Sequence, residues 1–161
     1  MSLNAADQKI IDNVREYGWH GTYVPSDDIG PEFCFSTGFS ETLHAPEVII
    51  FGLNSSVMHN MLWEIFRQIK AGKALQDAAV WSGLIEGFDC VSRPVHPSHT
   101  GEYFGTAIWY LRYRGISERL DAFQVFWPGK LDGLYPWDTG CSEVVREHQP
   151  ALYLPKATGL A

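Results

Sequence analysis

Cysteine is scarce: Cys34, Cys90 and Cys141 are three in 161 residues, widely spaced and without a Cys-x-x-Cys pair. An odd, scattered set argues against a disulfide framework and fits reduced thiols in a cytosol. Cys34, inside an apolar run, reads as core rather than as a nucleophile. The only close imidazole pair, His96 and His99, has no His-Glu-x-x-His motif and no third ligand at metal spacing, so no metal is expected. Long hydrophobic runs are missing too. Nothing approaches the roughly 20 apolar residues of a membrane helix, and the amino-terminal segment lacks the basic start and apolar stretch of a signal peptide. The reading is a soluble, cytoplasmic protein with no membrane partner. Basic residues are few, 12 against 19 acidic, and the net charge of −7 repels phosphate backbones. Arg112, Arg114 and Arg119, the nearest thing to a basic patch, come without an RNA-binding motif and read as a solvated helix end, so nucleic acid is excluded as a partner.

The chain is instead rich in rings. It is 45% hydrophobic and 14% aromatic, with six tryptophans, enough for the core of one globular domain spanning residues 1–161. Asn4 caps a predicted helix over about 5–17 that Gly18 ends. Residues 19–24 read as a strand, 25–31 as a turn, and Phe33, Phe35, Thr37 and Phe39 alternate with small residues in a second strand. Val48-Ile-Ile-Phe51 is a continuous apolar run of the kind found in strands buried on both faces. A glycine- and serine-containing turn then leads to the clearest predicted helix, about 55–71, with Met58, Met61, Leu62, Ile65 and Phe66 in one stripe. That turn resembles an anion-binding arrangement, although the Walker lysine and the three-glycine dinucleotide pattern are missing. The sequence leaves the cofactor unknown.

Residues 73–86 show only a weak pattern and read as a loop or insert holding Trp81. Phe88–Val95 reads as a strand that Pro94 pushes to a sheet edge. A helix is predicted over about 100–113, crowded by rings of the core or interface type, which makes a homodimer one partner to consider. Phe123–Trp127 is a second apolar strand, interrupted by Gln124, whose buried amide must find a partner. The fold class that follows is α+β: a mixed, mostly antiparallel central sheet covered by about three helices.

The segments Phe35-Ser-Thr-Gly-Phe39, Pro46-Glu47, Gln124-Val-Phe-Trp-Pro128 and Gly133-Leu-Tyr-Pro-Trp137 together resemble the bacterial family known as the domain of unknown function 4262, over roughly residues 17–152. Ser36 stands for its usual threonine, Phe39 for leucine, and Gly129-Lys130 where an acidic residue is expected. The family has no established activity, so the resemblance implies a shared fold and pocket and names no substrate.

The functional expectation is a small polar or aromatic ligand held in a cleft between the 33–56 and 123–138 segments. Ser36, Thr37, Gln124, Trp127, Trp137 and Asp138 would bind it, and His44 and Glu47 would serve as acid and base in hydrolytic chemistry. The competing reading is a non-enzymatic interaction module of adaptor or immunity type, using acidic surface and exposed rings against a protein partner. The sequence leaves open whether the protein is an enzyme.

Overall fold

The two apolar runs become neighbours. In a computed structural model describing residues 3–157, β3 (Glu47–Phe51) and β6 (Ala122–Phe126) lie side by side and parallel at the centre of a six-stranded sheet. Every residue of β3 is buried. β1 (His20–Val24) and β2 (Phe33–Thr37) extend the sheet on one side, β5 (Phe88–Pro94) and β4 (Ala79–Ile85) on the other, in the order β1-β2-β3-β6-β5-β4. The other four pairings are antiparallel, so the fold is α+β with a mixed, open sheet.

Strand alternation sends alternate residues to two cores. Cys34, Val48, Ile50 and Val125 face α3 (Ser55–Lys70) and its Met58, Met61, Leu62 and Ile65. Phe35, Ile49, Phe51 and Ala122 face the opposite way, toward Phe104, Ala107 and the carboxy-terminal Leu152. α1 (Ala5–Tyr17) carries the expected Asn4 capping box and left-handed Gly18 end, and its Ile10, Ile11 and Val14 pack with Tyr110.

Several boundaries differ from those predicted. The stretch read as a loop contains β4, where burial falls on Trp81 and Leu84, three residues apart, because the register shifts between Trp81 and Ile85 around left-handed Gly83. A bulge destroys the two-residue period that a strand needs to be recognised. β5 lies inside the sheet rather than at its edge. Pairing with β4 stops at Ser92, whereas pairing with β6 runs on to Pro94, so the proline sits beyond its outer partner where a missing N–H costs nothing. The 100–113 helix is two helices, α4 (Thr100–Tyr103) and α5 (Gly105–Tyr113), which meet at Phe104. Two short helices, α2 (Phe39–Leu43) and α6 (Glu143–Glu147), were not predicted. Phe39 leaves the row of strand rings to open α2 and packs on the α3 side.

Candidate functional site

α2 begins on Gly38, which is left-handed at φ 107° and offers no capping side chain. The first N–H groups of any helix lack intrahelical acceptors, and here Glu47 supplies them from the start of β3. Its Oε1 accepts from Ser36 Oγ at 2.7 Å and Phe39 N at 3.1 Å, and its Oε2 from Gly38 N at 3.2 Å and Ser40 N at 3.1 Å. The residue is 1% exposed. Burial pushes its carboxyl above the usual range, and the four donors, Ser36 foremost, pull against that shift. Ser36 has a second task. The β2–β3 ladder ends at Phe35 and Ile49, and Ser36 Oγ accepts from Val48 N at 2.9 Å where a strand carbonyl would otherwise stand.

The structure therefore brings Ser36 and Glu47 into contact. Thr37 ends β2, fully buried, its hydroxyl without a hydrogen-bond partner among the described residues. His44 ends α2 in the left-handed region at φ 52°, exposed, and lines a cavity of about 390 Å3 together with Ser40 and Pro46. Ser40 Oγ is buried in that wall and, among the described residues, also has no partner. The far wall comes from Leu111, Ile116, Arg119 and Asp121. Glu41, at the rim, is held by Tyr110 Oη at 2.9 Å and Arg114 Nε at 2.8 Å.

Gln124, Trp127, Trp137 and Asp138, expected to face His44 and Glu47, do not line this cleft. Gln124 points its amide at the carboxy-terminal segment, donating to Pro150 O at 2.8 Å while Leu152 N donates to it at 3.3 Å. Trp127 Nε1 donates to Phe51 O at 2.7 Å, and Trp137 packs edge-on against Phe126 under the Arg93 guanidinium. Asp138 closes its own turn by accepting from Tyr135 N at 2.8 Å. His44 and Glu47 lie at the entry to β3, whereas Trp137 and Asp138 follow the exit of β6. Trp137, packed on Phe126, stands at the opposite end of this parallel pair from Glu47. The 123–138 segment is thus joined to β3 as sheet and core, and its place across from His44 is taken by residues 116–121. Sequence reasoning assigned Arg119 to a solvated helix end, and no local pattern marks it otherwise. His96 and His99 bond to different partners, Ser98 Oγ and Leu154 O respectively. Among the described residues, no three His, Cys, Asp or Glu side chains gather at ligand distance.

A six-stranded α+β sheet whose paired serine and glutamate brace a turn beside a cavity is the class that fold and site define. The chain belongs to the family described as a domain of unknown function (DUF4262), whose sequence model matches residues 13–142 and so takes in all six strands. No curated protein and no solved structure matches the chain. Among the described residues, no helix is long and apolar enough to cross a membrane.

Proposed function

We propose that this domain binds a small polar molecule in the cavity between α2 and residues 116–121. The observation that carries the reading is Ser40, which lines the cavity and whose buried hydroxyl has no partner among the described residues; such a group ordinarily costs stability unless something bonds to it. Glu47 holds the Ser40 amide and so positions that hydroxyl, while His44 and Arg119 add an imidazole and a guanidinium. Glu118 and Asp121 supply negative charge on the same wall. The mixture suits a molecule carrying both signs of charge, of amino-acid character. Binding is favoured over hydrolysis, because Glu47 spends both oxygens on the turn and leaves His44 as the group able to exchange a proton with a bound molecule.

A thermal-shift panel of amino acids, dipeptides, polyamines and dicarboxylates tests this. A ligand at a hundred times its dissociation constant stabilises by about 2.7 kcal/mol, a rise of several degrees. Ser40→Ala and Arg119→Ala are expected to cancel the rise while leaving the unliganded melting temperature within about 2 degrees, since neither side chain is buried against a partner. A panel without any shift, or a shift indifferent to Arg119→Ala, overturns the proposal.

A further inference from the structure

We propose that a second cavity, between α1, β1 and α3, is a binding site for a small planar aromatic anion. It measures about 350 Å3, inside the range of ligand cavities, and is lined by Lys9, Asn13, Tyr17, Trp19, His20, Gly21, His59 and Trp63. Four of these rings are ordered against one another. Trp19 stacks on His59 with centroids 5.1 Å apart and meets Trp63 edge-on at 5.2 Å, and Tyr17 meets Trp63 edge-on at 6.2 Å. Aromatic walls with fixed geometry favour a flat guest.

Gly21 shows that the arrangement is built. A glycine inside a strand weakens it and commonly marks a close approach by another group. Here a Cβ would stand 2.9 Å from His59 Nδ1 and 3.1 Å from Trp19 Cζ3. Only a residue without a side chain lets the imidazole lie on the indole at this place.

Charge decides the sign of the guest. The protein as a whole carries a net −7, yet this lining holds a lysine, two imidazoles and, among the described residues, no carboxylate. Burial keeps both imidazoles below their ordinary range, with Lys9 adding to the effect on His20. Asn13 Nδ2 approaches His20 Nδ1 at 2.9 Å, and with the amide donating, the ring proton sits on Nε2 as a donor. Trp19, 2% exposed, keeps its Nε1–H without an acceptor among the described residues. The cavity is thus lined by two imidazoles, an amide and one ammonium between ring faces.

The test is calorimetric titration of the full chain near neutral pH with 1-naphthoate, 1-naphthylmethanol and 1-naphthylmethylamine. The expected order of affinity is anion, then alcohol, then amine. Lys9→Gln is expected to cost naphthoate about fivefold and the alcohol nothing, and Trp63→Leu about tenfold for both. Gly21→Ala is expected to abolish binding by displacing His59. Should Trp63→Leu fail to fold, Lys9→Gln and Gly21→Ala decide. Three probes that bind alike or without saturation overturn the proposal, as does naphthoate binding that survives Gly21→Ala. Arg119→Ala, which disables the first cavity, is expected to leave naphthoate affinity unchanged; loss there would assign the ligand to that cavity and sink this one.

Discussion

Glu47 gives each carboxylate oxygen two donors, so its removal leaves groups that have nowhere else to bond. In Glu47→Gln one acceptor oxygen becomes an NH2 that faces N–H groups, and buried donors left unpaired cost roughly 1–3 kcal/mol each. The expected loss is about 3 kcal/mol, seen as a fall of about 10 degrees in melting temperature. A change of less than 3 degrees would show that the carboxylate does not hold the turn. Ser36→Ala should follow in the same direction by less, because it frees Val48 N as well as one lone pair of Glu47. Thr37 and Ser40 differ in kind, since their hydroxyls bond nothing among the described residues.

At the scale of elements, the carboxy-terminal segment is fastened to the sheet through three residues. Gln149 accepts from Trp127 N and donates to Trp127 O, both at 2.9 Å, and Gln124 binds Pro150 and Leu152. Gly52 makes room for this docking: at φ 80° a Cβ would meet His148 O at 2.5 Å. Gly52→Ala is therefore expected to cost roughly 2 kcal/mol or more and to speed hydrogen exchange at Trp127 and Leu152. Unchanged exchange would mean that the segment docks by other contacts. These contacts also explain what was legible beforehand. Val48–Phe51, Phe123–Trp127 and the 55–71 stripe announce themselves through period and continuity. β4 was hidden by its bulge, and Pro94 misled because a proline tolerated at an edge is equally tolerated two residues past the last pair with an outer strand. Near the cavity, Ser36 and Glu47 stood out in the sequence as polar residues beside apolar strands, and the structure pairs them by a hydrogen bond. Their supposed companions across the cleft satisfy the same rule through backbone partners, which sequence cannot distinguish, and Lys9, His20 and His59 come together only through tertiary packing.

For the molecule as a whole, His20 and His59 make stability depend on pH. Both are held below the ordinary value of 6.5, so the folded state resists protons that the unfolded chain accepts. Their contribution is complete above pH 6.5 and is lost as pH falls toward their folded values. Melting curves between about pH 5 and 6.5 are expected to be flatter for His20→Gln than for the unchanged chain. Equal slopes would remove His20 from the account.

The parallel pairing of β3 with β6 has a further consequence, in time rather than in energy. β1, β2 and β3 can assemble through local turns, but β6 reaches β3 only after residues 52–121 have been made and gathered into a closed loop. Closing so long a loop precedes any reward from the contacts it brings, which slows folding. On a growing chain, one side of Val48-Ile-Ile-Phe51 consequently stays unsatisfied until Phe126 has emerged. That interval is when this protein is most exposed to pairing with the wrong strand.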